Sequence, residues 1–183
     1  MDRFIIDYNQ LKTFDRELIQ LYHQEANKRI DDLKEIESLI TDRAYRLFSV
    51  YYAVEIAVIG YVFTQLDDTR NMGLINASMA IVVFTAISLY YAVKVMRPHD
   101  VMPAGRSPRN FKIDKKYDYF KENNFTDKYA YTMAGELMNL QYKIDSQNEK
   151  NIARIKLNNA SINFMLVGLI LAILFFVLTV IFE

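Results

Sequence analysis

Three long apolar blocks constrain this chain more than any other feature of its sequence. They occupy residues 47–66, 73–95 and 162–182, and their only charged residues are Glu55 in the first block and Lys94 near the end of the second. A hydrocarbon core about 30 Å thick is crossed by roughly 20 helical residues. The blocks therefore predict an all-α membrane protein with three transmembrane helices. A pair of buried core helices is the alternative for the first two blocks.

The basic residues beside these blocks predict an orientation. They flank the start of the first block, the end of the second and the start of the third: Arg43, Arg46, Lys94, Arg97, Arg154 and Lys156. The linker at 65–72, by contrast, has one Arg against two Asp. Because Lys and Arg accumulate on the cytosolic side, we expect a cytosolic N-terminus, an external turn between the first two spans, cytosolic residues 97–160 and an external C-terminus.

Two further helices are predicted outside the spans. Between residues 11 and 40, apolar side chains recur every three or four positions: Leu11, Phe14, Leu18, Tyr22, Ala26, Ile30, Leu33, Ile36 and Ile40. This spacing is typical of an amphipathic helix that needs a helical partner. A second such pattern, in 126–161, runs without Pro or Gly from 136 toward the third span. The two helices have two possible pairings, within one chain or between copies.

The predicted organisation has five segments: a cytosolic amphipathic helix at 1–46, a transmembrane hairpin at 47–96, a cytosolic basic loop with Pro and Gly at 97–125, a cytosolic helix at 126–161 and the third span at 162–183. The loop contains all three prolines, which force extended or turn backbone, and it contains Arg97, Arg106 and Arg109. Arginines clustered in this way are suited to a phosphate. Alternatively, they are juxtamembrane residues that meet anionic lipid.

Glu55 is the ionisable residue deepest in the first block. A charge at such depth is costly and usually faces a bundle interior or water. In a homo-oligomer, copies of Glu55 would form an acidic ring suited to cations. The alternative is a neutral carboxyl group that hydrogen-bonds to Ser78, Thr85, a Tyr hydroxyl or Asn76, an intramembrane amide able to bridge helices.

Composition excludes several classes of function. Lys plus Arg and Asp plus Glu both total 22, so no excess positive charge favours DNA binding. The chain has no cysteine and only two histidines, His23 and His99, which argues against thiolate chemistry and a multi-histidine metal site. No nucleotide-binding glycine loop, nucleophile elbow or zinc-protease motif is present. We therefore expect no enzyme activity, no cofactor and no metal.

The order of segments resembles a known group of membrane effectors. The residues that carry the likeness are Asp42-Arg43-Ala44 before the hairpin, then Pro98, Gly105, Pro108, Asn110-Phe111 and Tyr119-Phe120, and the helix from Glu136-Leu137 to Lys156 before the last span. The layout resembles the Pycsar transmembrane effectors of bacterial antiphage defence and the broader SLATT group. The resemblance implies a bacterial inner-membrane protein that impairs the membrane when infection raises a cyclic nucleotide.

Together these patterns predict an effector in the bilayer that senses a cytosolic ligand or partner. Its expected response is rearrangement of a homo-oligomer, with pore formation or membrane disruption. The expected stimulus is a nucleotide second messenger or a cytosolic protein. The alternative is a non-conducting, membrane-anchored sensor or scaffold for a soluble partner.

Overall fold

The computed structural model describes residues 16–65, 72–97, 118, 120–122 and 127–182. Most of these residues form three long helices: α1 at Arg16–Gln65, α2 at Met72–Met96 and α3 at Lys128–Phe182. Residues 118 and 120–122 are also helical. Within the described ranges, only Arg97 and Asp127 lie outside helices. The prediction of an all-α chain is therefore confirmed for this part of the protein.

Each of the three helices contains one apolar block. All three are long and apolar enough to cross a membrane, as predicted. Helix α1 has 50 residues and α3 has 55, so each continues well beyond the length that a bilayer requires. Helix α3 contains both the predicted amphipathic segment and the third block without interruption.

Local signals explain two of the helix ends. The Oδ1 atom of Asp127 accepts hydrogen bonds from the backbone N–H groups of Tyr129 and Ala130, both at 3.0 Å. Asp127 thereby satisfies donors that the first turn of α3 leaves open. Helix α2 ends at Met96, two residues before Pro98, because a residue that precedes proline is disfavoured in helical conformation.

The chain divides into two compact units, and both contain parts of α1 and α3. The described residues of unit 1 are 16–35, 118, 120–122 and 127–149, and those of unit 2 are 36–65, 72–97 and 150–182. The division falls after Glu35 in α1 and after Glu149 in α3. It does not coincide with the ends of the apolar blocks.

Unit 1 is built around small side chains of α3. Ile19 of α1 is buried against Ala130 and Ala134, and Tyr131, Met133 and Leu137 pack against this cluster. The N-terminal part of α1 is therefore paired with α3 of the same chain.

The expected apolar stripe of α1 is covered only in part. Leu18 and Tyr22 are exposed, whereas the neighbouring Ile19 is 3% exposed. Of the predicted positions, Ile30, Leu33 and Ile40 are buried, and Leu11 and Phe14 lie outside the described residues. One helical partner covers only a narrow row of side chains, so the stripe is wider than the surface that α3 buries.

Unit 2 has an inverted distribution of polarity. Its interior contains Thr85, Ser88 and Ser161, each 0% exposed. Its outer surface carries bulky apolar residues such as Phe63 and Ile173. Helices α2 and α3 also approach closely: a Cβ atom added at Gly168 would lie 2.5 Å from Cβ of Phe84, and one at Gly73 would collide with Thr179.

Candidate functional site

A row of buried polar side chains on α3 forms the candidate site in unit 2. We call it the polar seam: Asn151, Arg154, Asn158 and Ser161, none of which is more than 4% exposed. The steps between them are three, four and three residues, so all four lie on one face of the helix. Buried polar groups are costly unless they are hydrogen-bonded. The partners of the seam therefore define how the helices of unit 2 are held together.

Arg154 joins all three helices of unit 2. Its Nη1 donates a hydrogen bond to Oε1 of Glu37 at 3.0 Å, and its Nη2 donates to Oγ1 of Thr41 at 2.6 Å, both on α1. Its Nε and Nη2 also donate to the backbone carbonyl oxygen of Val95 on α2, at 3.2 and 2.8 Å. We call this arrangement the Arg154 clamp.

The clamp satisfies two electrostatic requirements at once. The carbonyl of Val95 is among the last four of α2, which have no partner within their own helix and lie at the negative end of its dipole. Arg154 provides both a donor and a positive charge at that point. Glu37 compensates the charge of a guanidinium whose side chain is only 5% exposed. Each partner therefore lowers the cost of burying the other.

Toward the C-terminus of α3, the seam continues through hydrogen bonds between neutral groups, which are weaker than those of a charged guanidinium. Nδ2 of Asn158 donates to the backbone oxygen of Ile40 at 3.2 Å, and Oγ of Ser161 donates to the backbone oxygen of Ser88 at 2.8 Å. The Oδ1 atom of Asn158 is buried and has no hydrogen-bond partner among the described residues.

Glu55 lies one helical turn beyond Tyr51 on α1, and its side chain is partly buried. Its Oε2 atom is buried without a hydrogen-bond partner in the described part of the chain. The hydroxyl of Thr85, one of the partners expected for Glu55, instead donates to Sδ of Met165 at 3.5 Å. Asn76 is exposed on α2.

The predicted phosphate-binding arginines are only partly within the described structure. Arg97 is exposed directly after α2. Arg106 and Arg109 lie outside the described residues. Unit 1 has a surface depression of about 450 Å³ whose described lining is Asp118, Lys121 and Glu122. These three described side chains are two carboxylates, which repel a phosphate, and one ammonium group, which attracts it.

Sequence reasoning interpreted Arg154 only as a marker of orientation and did not identify the polar seam. The available signal was the spacing of Asn151, Arg154, Asn158 and Ser161 on one face of a predicted helix. That spacing defines a face but does not identify what the face meets. Only the packing of α1 and α2 against α3 distinguishes a buried clamp from an exposed basic residue.

No protein-family model, curated protein sequence or solved structure matches this chain. The fold of the described residues gives its class: it is an all-helical protein with three helices able to span a membrane. Among the described residues, no three His, Asp or Glu side chains are grouped to hold a metal ion.

Proposed function

We propose that this chain is a membrane-embedded effector with three transmembrane helices. The inverted polarity of unit 2 carries this proposal. Ile181 is 67% exposed and Phe63 is 71% exposed, whereas Ser78, Thr85 and Ser88 in the apolar block of α2 are buried. Water penalises exposed apolar surface by roughly 25 cal/mol per Å², but hydrocarbon does not. In a bilayer, helices associate through small and polar residues and turn bulky side chains toward lipid.

The proposed location is a bacterial inner membrane. Lys and Arg lie beside one end of each apolar block, which supports a cytosolic N-terminus and an external C-terminus. In this orientation, residues 97–160 are cytosolic. Unit 1, with its core at Ile19, Ala130 and Ala134, is then the part that meets a cytosolic ligand or partner protein.

The proposed response is rearrangement of a homo-oligomer that opens a pore or disrupts the bilayer. Glu55 supports this response, because its Oε2 atom is buried without a hydrogen-bond partner among the described residues, and an arrangement that admits water, a cation or a neighbouring copy would supply one. The ligand must bind the two arrangements with different affinity, since equal affinity shifts no equilibrium. The resemblance to Pycsar and SLATT effectors supports an antiphage role and a nucleotide messenger. The residues proposed to bind the phosphates of this messenger are Arg97, Arg106 and Arg109.

The Arg154 clamp favours a second candidate function. A guanidinium that holds α1, α2 and α3 together by four hydrogen bonds opposes separation of the helices. Such a bundle suits a non-conducting anchor that senses or scaffolds for a soluble partner. The two candidates differ in whether the membrane potential changes.

Membrane potential in bacteria that express the chain tests the proposal. A potential-sensitive dye is read with and without phage infection, for the wild type, Glu55→Gln and the control Asp42→Asn. Asp42 is an exposed carboxylate on the same helix. The effector predicts infection-dependent depolarisation that weakens severalfold in Glu55→Gln and is unchanged in Asp42→Asn. Normal potential in every condition, with the chain resistant to alkaline carbonate extraction, would favour the anchor.

A further inference from the structure

One layer of unit 2 brings its three helices to the same level. Ile40 and Ala44 of α1 are buried together with Val95 of α2, and Leu157 of α3 packs against them. Residues that flank these positions therefore surround a single cross-section of the bundle.

Four exposed cations flank this layer, and we call them the basic collar: Arg43, Arg46, Lys94 and Lys156. The segments 40–46, 94–97 and 152–158 are fully described, and their one exposed acidic residue is Asp42. Arg154 lies in the same layer but is bonded to Glu37 and Thr41, so it does not belong to the collar. The excess of positive charge is consequently on the outside of the bundle.

The collar lies at one end of the apolar part of unit 2. Helix α1 after Glu55, α2 before Lys94 and α3 after Lys156 carry no charged side chain in the described ranges. The surface therefore changes abruptly from cationic to hydrocarbon-like along all three helices. This is the polarity gradient between the headgroups and the acyl chains of a phospholipid.

Aromatic side chains occur in the same belt. Tyr45 and Tyr90 are both 56% exposed, and the Lys94 ammonium lies 5.4 Å from the centroid of the Tyr90 ring. Phenol rings favour the headgroup level, where the ring meets apolar chains and the hydroxyl meets water. The tyrosines place the collar at that level.

We infer that the basic collar binds the headgroup phosphates of anionic phospholipids, an inference that rests on the proposed insertion of this chain in a membrane. Arg43 and Arg46 present planar guanidinium groups, which pair with phosphate by two parallel hydrogen bonds. Lys94 and Lys156 add point charges on the other two helices. Because the layer fixes all three helices, the bound lipids form a belt on one side of the bilayer.

Lipid binding to the purified full-length chain tests this inference. The chain is titrated in detergent micelles with phosphatidylglycerol or phosphatidylcholine, and bound lipids are counted by native mass spectrometry. The variant Arg43→Gln/Arg46→Gln is compared with the control Lys28→Gln/Arg29→Gln, which removes two exposed cations from the unit 1 part of α1.

The wild type is expected to prefer phosphatidylglycerol. The collar variant should lose roughly thirtyfold in affinity for it, as expected for removal of two surface charges, while the control retains it. Equal binding of the two lipids, or equal loss in both variants, would overturn the inference. Circular dichroism of each variant verifies that its helices are intact.

Reconstitution into vesicles distinguishes failure of lipid binding by the collar from failure of the proposed function. The chain is mixed with phosphatidylcholine vesicles, with and without phosphatidylglycerol, and extracted with alkaline carbonate. A chain that resists extraction from both vesicles without a preference for phosphatidylglycerol contradicts the collar and leaves membrane insertion intact. A chain extracted from both contradicts insertion, and with it the collar.

Discussion

The two units of this protein use the same two helices to build different kinds of interior. In unit 1, Ile19 packs against Ala130 and Ala134, and the Phe120 ring meets the Tyr131 ring edge-on at 5.1 Å. In unit 2, the interior contains apolar residues such as Ala44 and Val95 and, beside them, the polar seam, which forms hydrogen bonds to α1 and α2. Unit 1 is organised around buried apolar contacts, as a domain in water is. Unit 2 adds buried polar contacts between its helices, and its apolar blocks expose bulky side chains such as those of Phe63 and Ile173.

This difference shows that the surroundings of a helix determine what its interior must contain. In water, burial of apolar surface supplies the driving force. In lipid, apolar side chains gain little from leaving the hydrocarbon, so close packing and hydrogen bonds between helices hold the bundle together. The four substitutions below test the comparison, from the largest expected effect to the smallest.

Arg154→Met should have the largest effect, because it removes the cation paired with Glu37 and the donors to the carbonyl of Val95. Loss of one partner of a buried ion pair costs about 3–5 kcal/mol. Thermal unfolding in detergent micelles measures the loss, with Lys156→Met, an exposed cation two residues away, as the control. The double variant Arg154→Met/Glu37→Met should recover part of the stability. Equal melting of the Arg154 and Lys156 variants would contradict the clamp.

Ile19→Ala tests the apolar interior of unit 1. Truncation of Ile19 should lower the free energy of unfolding of unit 1 by roughly 2–3 kcal/mol. This value is in the lower part of the usual range because Ile19 lies near the start of α1. Leu21→Ala is the control, because Leu21 is 50% exposed. Limited proteolysis should detect faster cleavage within residues 16–35 only in the Ile19 variant. Similar cleavage of both variants would show that α1 and α3 are not paired there.

Gly168→Val tests the close approach of α2 and α3. An added side chain would collide with Phe84, and overpacking of this kind costs roughly 1–3 kcal/mol. Gly60→Val is the matched control, because a Cβ atom added at Gly60 has nothing within 4 Å. The melting temperature in micelles should fall for Gly168→Val and change little for Gly60→Val. A reversed order would mean that another face of the helices is packed.

Ser161→Ala should have the smallest effect of the four. It removes the hydrogen bond from Oγ of Ser161 to the backbone of Ser88, and such bonds between membrane helices contribute about 0.6 kcal/mol on average. Ser49→Ala is the control, since Ser49 is exposed and bonds only within its own helix, to the oxygen of Tyr45. A loss of stability as large as that of Arg154→Met would show that the part of the seam at Asn158 and Ser161, and not the clamp, holds the bundle together.

The glycines of the apolar blocks show why close contacts between helices were not predictable from the sequence. Gly60, Gly73 and Gly168 have the same side chain and all lie in apolar blocks. Gly73 and Gly168 each face another helix closely, whereas Gly60 faces open space. No local pattern distinguishes them, because close approach is a property of two helices and not of one.

By itself, the sequence determined the three apolar blocks and the helical period of the two amphipathic segments, because both are local properties. It did not determine the number of helices: the amphipathic segments predicted before the first and third spans are continuous with those spans in α1 and α3. Only the tertiary structure decided which polar residues are inside. Arg154 and Lys156 look alike as basic residues before a span, yet one is buried in a clamp and the other is exposed. The physical reason is that burial depends on contacts from α1 and α2, more than 50 residues away along the chain.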